Sequence, residues 1–279
     1  MRLADAVLDA CRCDVRAPLA GDPARDFGLS KEQARQAMAA LRPWLNERQR
    51  MLWAQRRDAL LLMLQGPDCS GKDGVIRKVI NAFDPQGLSI HSFQMPNAEE
   101  RGEHFLQRYR RRLPAPGLLG VFNRSHYEAL ISDPLDGLCA DADFPRRLAE
   151  VQAFEAQWPP RHLHVLKCYL HISRAEQKER LLSRLQRPEK RWKLHASDLQ
   201  AYREHDLRQA RWSALLAASH TEDAPWYVIP SDQRWLRDWL VASLLARELE
   251  RLHLQWPDRP APFSLAELLA ATASKDAAT

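Results

Sequence analysis

Gly66, Gly71 and Lys72 fall at the spacing G-x-x-x-x-G-K inside Gln65-Gly66-Pro67-Asp68-Cys69-Ser70-Gly71-Lys72-Asp73-Gly74. Residues of these types in this order can bind phosphate. Glycines let the backbone approach an anion with no Cβ in the way, peptide N–H groups and a helix N-terminus act as donors, and a lysine adds a compact positive charge. The residue after Lys72 is Asp73, not the serine or threonine whose hydroxyl usually ligates magnesium. A second polar run, Asn123-Arg124-Ser125-His126-Tyr127-Glu128, and basic residues that include Arg180, Arg184 and Lys193 are the other groups suited to an anion. A bare spacing match also describes an ordinary glycine-rich turn, so the flanking elements decide.

They favour phosphate binding. Residues 59–64 form an apolar run of strand length, and the apolar spacing of 75–83 suits a helix. Residues 118–122 read as a short strand that delivers the run 123–128. In an open α/β sheet the ligand lies beyond the carboxyl ends of the strands, so this run should face the same crevice as the loop. Further strands are expected at 88–93, 163–172 and 226–230, and helices at 144–158 and 235–252. Before the loop, Ser30 with Gln33 suggests a capping box, and a second helix is expected over 44–57. Ser173 with Glu176 suggests another capping box. A charged helical stretch is expected from 97 to 112, and an Ala-rich tail from about 266 is expected to fray. Alternating strands and helices without an internal repeat indicate an α/β fold with a mainly parallel sheet.

The 279 residues, 45% hydrophobic and 28% charged, suit a soluble globular protein of one large domain or two small ones. A net charge of +5, mostly from arginine, points to a polyanionic ligand without choosing among nucleic acid, nucleotide and phosphate chain. Five irregularly spaced cysteines give no disulfide framework or zinc pattern, and a reducing cytoplasm is expected. The first residues lack a signal-peptide core, and no apolar run is long enough to span a bilayer. His162 and His164 alternate without other ligands near in sequence, so no metal role is expected of them. Trp192, Trp212, Trp226, Trp235 and Trp239 are expected in the core, and Cys69 as a small filler.

Taken in order, several blocks resemble the polyphosphate kinase 2 family of P-loop kinases. They are Gln65-Gly66-x-Asp68-x-x-Gly71-Lys72-Asp73-Gly74, Pro85-Gln86-Gly87, Leu113-Pro114-x-x-Gly117 and Phe122-Asn123-Arg124-Ser125-His126-Tyr127-Glu128. Leu170-His171-Ile172-Ser173-x-x-Glu176-Gln177, Pro188-Glu189-Lys190-Arg191-Trp192-Lys193 and Ala224-Pro225-Trp226-Tyr227 continue the series. The resemblance runs from about residue 40 to 250. It implies a thymidylate-kinase-like core over 58–256 with a helical lid at about 174–224, an N-terminal helical extension over 1–57 and a tail over 257–279.

The resemblance further implies magnesium-dependent, reversible transfer of a terminal phosphoryl group between inorganic polyphosphate and a nucleotide. The Gly71-Lys72-Asp73-Gly74 form looks like the branch that accepts nucleoside mono- or diphosphates. The expected partners are polyphosphate, nucleotide and further copies of the chain, with neither nucleic acid nor membrane. Lys72, Asp68, Arg124 and Glu128 would be the catalytic set, with Asp68 either holding the metal or orienting the attacking nucleotide phosphate and Glu128 a candidate metal or water-shell carboxylate. Gly66, Ser70, Gly71, Asp73, Gly74, Asn123, Ser125, His126 and Tyr127 would line the nucleotide and phosphate site. Lys72, Arg124, Arg180, Arg184 and Lys193 would track the polyphosphate by counter-charge.

The chain departs from the family pattern at Gln107, Ala129, Asn123, the segment 131–137 and His205, which puts acceptor choice and metal count in question. An ATP-dependent nucleotide kinase and a non-catalytic nucleotide- or polyphosphate-binding protein are the alternative functions.

Overall fold

The computed structural model describes residues 2–276, with side chains to residue 271. Helices α1 (Asp5–Asp9) and α2 (Lys31–Gln55) precede β1 (Ala59–Gln65), from which the chain turns through the glycine loop into α3 (Lys72–Lys78). β2 (Leu88–Ser92), two single-turn helices α4 (Ala98–Arg101) and α5 (Gln107–Arg110), β3 (Leu119–Asn123), α6 (Glu128–Leu135) and α7 (Phe144–Glu155) follow. After β4 (Leu163–His171) comes a helical excursion, α8 (Arg174–Gln186), α9 (Pro188–Arg191), α10 (Ala196–Arg203) and α11 (His205–Ser219). β5 (Trp226–Pro230), α12 (Arg234–Arg251) and α13 (Leu265–Asp276) close the chain.

Ala-Leu-Leu-Leu-Met-Leu-Gln has no polar face, and a strand of that kind belongs inside a sheet covered on both sides. β1 is accordingly buried at every position, central in a five-stranded parallel sheet of order β2-β3-β1-β4-β5. Side chains alternate across a strand. Leu60, Leu62 and Leu64 therefore join a core shared with α2, α3 and α12, while Ala59, Leu61 and Met63 join a second core with α6, α7 and α11. The register sets Leu64 beside Asn123 and Gln65 beside Tyr169. The carboxyl ends of β1, β3 and β4 are thus level, and the glycine loop and the run 123–128 emerge side by side.

The segment before β1 differs from its sequence reading. The Ser30–Gln33 capping box is present, but one helix, α2, runs from Lys31 to Gln55 through Pro43 in place of separate helices. Interior proline costs about 3 kcal/mol. Here Leu41, Leu45 and Leu52 on both sides of it pack into the core that α12 shares, and that burial outweighs the lost hydrogen bond. Nearer the N-terminus, Cys13 N–H donates to Trp226 O and Val228 N–H to Cys11 O, so residues 11–13 cover the outer edge of β5.

Three further expectations change. The helix expected over 75–83 begins at Lys72, ends at Lys78 and passes into a 3-10 turn. The charged stretch 97–112 yields only α4 and α5, since its arginines and acids give no continuous apolar face. Residues 265–276 form a helix where fraying was expected. At α8, Ser173 Oγ accepts from Glu176 N–H, yet the box is incomplete because Asp232 takes the Ser173 N–H and Glu176 pairs with Arg180.

Candidate active site

The loop is shaped by left-handed backbone and by carbonyl partners beneath it. Gly66 has φ +138°, and a Cβ there would lie 2.6 Å from Leu170 O, so only glycine fits between β1 and β4. Cys69 also takes a left-handed conformation, and burial pushes its thiol up to about 11, which makes it an inert filler at neutral pH. Lys72 opens α3 and folds back over the loop, its Nζ donating to Gly66 O at 2.6 Å and Pro67 O at 3.1 Å. Burial and the charge of Arg124 bring its pKa down to about 8.

Two arginines set the loop from below. Arg180 was expected to track polyphosphate, but it is 6% exposed and faces the other way. Its guanidinium donates to Cys69 O and Ser70 O in the loop and to Ser231 O and Asp232 O after β5. Five neighbouring acceptors, Glu176 included, leave it a structural clamp. Arg237 of α12, which the sequence reading missed, donates to Ser70 O at 3.3 Å and is held by Asp238. The two guanidiniums thus occupy the carbonyls of Cys69 and Ser70.

Arg237 also explains two glycines. A Cβ at Gly71 or Gly74 would lie 1.8 or 2.8 Å from its guanidinium nitrogens. Gly74→Ala in an open helix would stabilise by about 1 kcal/mol. Here it is expected to destabilise by about 1–3 kcal/mol, and to become stabilising once Arg237→Ala removes the obstacle. Urea unfolding of the two single variants and the double variant measures this.

Beside the loop, Asp68, Arg124 and Glu128 form one ionic unit. Arg124 Nη2 donates to Asp68 Oδ1 at 2.5 Å and Nη1 to Glu128 Oε2 at 3.3 Å. Arg124 has φ +65°, a conformation unusual for a residue with a side chain, and its N–H is fixed by Leu64 O. Glu128 opens α6 and also accepts from Ser132 Oγ at 2.6 Å. The Gln65 amide lies between Glu128 and Ser125, 2.8 Å from each. Burial pushes the Asp68 carboxyl up, but Arg124 and then Lys72 more than offset it and hold the group below the usual carboxylate range.

Asp73, at the first turn of α3, accepts from Asn123 Nδ2 at 3.1 Å and from Lys193 Nζ at 2.9 Å. Lys193 lies between α9 and α10, so this ion pair ties the helical excursion α8–α11 to α3 beside the loop. Arg184 lies 3.8 Å from Asp198 and 3.5 Å from Lys193 O. Trp192, expected in the core, is 74% exposed, with Lys193 Nζ 4.9 Å from its ring, whereas Trp212, Trp226 and Trp239 are buried and Trp235 is half-buried.

Ser70 is fully buried in the loop, whereas His126 and Tyr127 do not face the phosphate site. Both are fully enclosed in the second core, and His126 Nε2 and Tyr127 Oη each meet Glu155 Oε1, at 2.9 and 2.6 Å. Lys167, in mid-strand on β4, reaches Glu155 Oε2, Tyr127 Oη and Ser219 O. Burial pulls the Lys167 pKa down; burial pushes Glu155 up, but Lys167 and His126 bring it down to about 2. This buried pair anchors the segment from which Arg124 and Glu128 project. Lys167→Met should lower unfolding stability by about 3–5 kcal/mol by leaving the buried Glu155 carboxylate without its lysine cation, and Glu155→Gln added to it should recover part of the loss in the same denaturation experiment.

Between the loop and the helical excursion α8–α11 is a cavity of about 40 Å³, open on one side. Asp68, Arg124 and Glu128 line it together with the apolar side chains of Ile131, Tyr169 and Trp212. Arg208 of α11, also missed in the sequence, lines it and pairs with Glu204 at 2.8 Å. Its lining combines charged groups with apolar side chains, the mixture that an anionic ligand with an apolar part would meet.

Comparison with known proteins gives this site its context. The family model described as Polyphosphate kinase 2 matches residues 28–256. The AMP/ADP-polyphosphate phosphotransferase of Meiothermus ruber is 37% identical over 236 residues, 85% of this chain and 88% of that protein. The ADP-polyphosphate phosphotransferase of Rhodopseudomonas palustris is 33% identical, over 83% of this chain and 84% of that one. The crystal structure of Polyphosphate Kinase 2 from Arthrobacter aurescens superposes with a TM-score of 0.88 at 34% identity, covering 95% of this chain and 96% of that one. With a buried lysine in the glycine loop, an arginine between two carboxylates beside it and matches across most of its length, the chain belongs to the polyphosphate kinase 2 family.

Proposed function

We propose that this protein transfers the terminal phosphoryl group between inorganic polyphosphate and a nucleoside mono- or diphosphate. The observation that carries the reading is the buried loop lysine, Lys72, beside the Asp68–Arg124–Glu128 unit on one cavity. The names of the relatives supply the class of donor and acceptor.

The chemistry follows from charge. A phosphoryl group moving between phosphate oxygens needs alignment and neutralisation rather than a strong base, because a nucleotide phosphate is already ionised near neutral pH. Lys72 exchanges its two loop carbonyls for phosphate oxygens. Loop N–H groups hold the same group. Arg124, already between two carboxylates, lies where donor and acceptor phosphates meet. Arg184 and Lys193 carry the chain onward under the lid, and Arg180 has no part in that path.

Magnesium is the proposed cation. It prefers oxygen ligands and commonly binds through one or two carboxylates plus substrate phosphates. Asp68 and Glu128 fit that requirement, and among the described residues no group of three or more His, Cys, Asp and Glu side chains forms a site made by the protein alone. When bound it would neutralise phosphate charge beside Asp68 and Glu128. We also propose that transfer is reversible and that the protein works as an oligomer, with the unpaired outer edge of β2 as support. No helix among the described residues is long and apolar enough to cross a membrane. A cytoplasmic location is proposed on the five free cysteines.

Purified protein with magnesium, polyphosphate and each of AMP, ADP, GMP and GDP tests the reading. A nucleotide one phosphate longer is expected in at least one mixture, and its absence from all four would overturn the proposal. Replacing polyphosphate by ATP at fixed acceptor separates this activity from that of an ATP-dependent kinase.

A further inference from the structure

The capping box of α8 is incomplete because its glutamate is engaged elsewhere. In a complete box the residue three positions after the cap accepts from the cap's own N–H. Here Ser173 N–H donates to Asp232 Oδ1 at 2.8 Å, and Glu176 Oε1 accepts from Arg180 Nε at 2.7 Å. Asp232 belongs to the loop between β5 and α12, so a carboxylate distant in sequence has taken the place of the local one. Glu176 is thereby left to Arg180.

Arg180 divides the rest of its guanidinium between two loops. Nη1 donates to Cys69 O and Ser70 O of the glycine loop, at 2.9 and 3.1 Å, and Nη2 to Ser231 O and Asp232 O, at 2.6 and 2.9 Å. Asp232 therefore enters the cluster twice, through its carbonyl at Arg180 and through its carboxylate at Ser173. Its backbone is held without help from the side chain, because Asp232 N–H donates to Pro23 O at 3.2 Å and Ser231 N–H to His171 O at 2.8 Å.

We infer that Asp232 is a positioning residue for the phosphate loop: by holding Ser173 N–H it keeps Glu176 on Arg180, and Arg180 on the carbonyls of Cys69 and Ser70. This rests on the loop being the phosphate site of the proposed reaction. Without the carboxylate, Glu176 is the acceptor that the local sequence offers to Ser173 N–H, and the box closes in its ordinary form. Arg180, 6% exposed, then loses its carboxylate, and a buried cation without a partner is drawn toward water. Its hold on residues 69 and 70 weakens with it. A peptide unit is planar, so Ser70 O and the Gly71 N–H turn together, immediately before Lys72. Arg237 also reaches Ser70 O, at 3.3 Å, so the loop is loosened rather than released.

Substitution at 232 isolates the carboxylate, since the contacts of Asp232 with Arg180 come from its backbone. The test measures tripolyphosphate affinity by calorimetry, and kcat/KM for transfer, in the unmodified protein, Asp232→Ala, Asp232→Asn, Glu176→Ala and the double alanine variant. Asp232→Ala is expected to lose about ten- to hundredfold in both, the scale on which a displaced group acts, with the number of sites per chain unchanged. Asp232→Asn keeps an oxygen acceptor at Oδ1 and should recover most of the loss. Glu176→Ala also leaves Arg180 without its carboxylate, so it should resemble Asp232→Ala, and the double variant should be no worse than either. Unchanged affinity in Asp232→Ala, an asparagine as poor as alanine, or losses that multiply in the double variant would overturn the inference. So would fewer sites at unchanged affinity, the mark of a purely structural role. Affinity is read without turnover, so a protein that binds tripolyphosphate and transfers nothing overturns the proposed reaction while the inference is still judged on affinity.

Discussion

Lys72→Ala is expected to reduce phosphoryl transfer by at least about a thousandfold, the scale on which removing a preorganised donor from a transferring group acts, while leaving the fold intact. In the structure its ammonium is satisfied by two loop carbonyls and supports no element of either core. Circular dichroism and thermal unfolding close to those of the unmodified protein, with turnover lost, are the expected pair of results. Retained turnover would remove Lys72 from the mechanism.

The same lysine predicts a pH dependence. Burial and Arg124 hold its pKa at about 8, below the usual lysine value near 10.4. With the folded value depressed, the unfolded chain binds the extra proton between these limits. Lys72 therefore favours the folded state above the unfolded pKa, and this contribution is lost as pH falls through about 8. An anion reverses the balance, because it favours the charged lysine. Binding above about pH 8 must then take up a proton, and KM for polyphosphate should rise with pH from there. A KM unchanged between pH 7 and 9.5 would contradict this role for the charged form.

Arg124→Ala should be the second large effect, about a thousandfold or more in turnover if the guanidinium bridges the phosphates as arginines do in other phosphoryl transfers. It carries a further signature. Without Arg124, the burial that raises Asp68 is opposed mainly by Lys72, so the Asp68 carboxyl rises and the acid limb of the pH–rate profile moves to higher pH. Arg124→Lys keeps a charge but cannot reach both Asp68 and Glu128 with a planar fork, so it should recover little. Full activity in Arg124→Lys would reduce Arg124 to a point charge.

The sequence made these groups visible because they sit at strand ends. An apolar run followed by a glycine loop places Lys72, and a short strand followed by a polar run places Arg124 and Glu128. The level register of β1 and β3 then brings them together. Less legible was direction within a run. Arg124 and Glu128 turn to the loop, while His126 and Tyr127, between them in sequence, turn into the core to meet Glu155.

Partners distant in sequence were invisible. The i, i+4 spacing put Arg180 and Arg184 on one helix face, but nothing showed that the carbonyls of residues 69, 70, 231 and 232 lie opposite the first. A signal did exist for Arg237 and Lys167. Arg237 falls in phase with the buried Leu240, Val241 and Leu244 on α12, and Lys167 sits amid an apolar strand. A charge in an apolar phase implies a buried partner. Two helices were expected where one, α2, runs through Pro43, because its packing against α12 is not visible from local preference.

The central claim is transfer from the end of a phosphate chain to a nucleotide, and it is tested most directly by label transfer. Polyphosphate labelled at its terminal phosphates, mixed with magnesium, excess protein and the unlabelled acceptor nucleotide in a single turnover, should place the label in the terminal phosphate of the nucleotide one phosphate longer. Label released only as inorganic phosphate, or left on the chain while the nucleotide stays bound, would contradict the account.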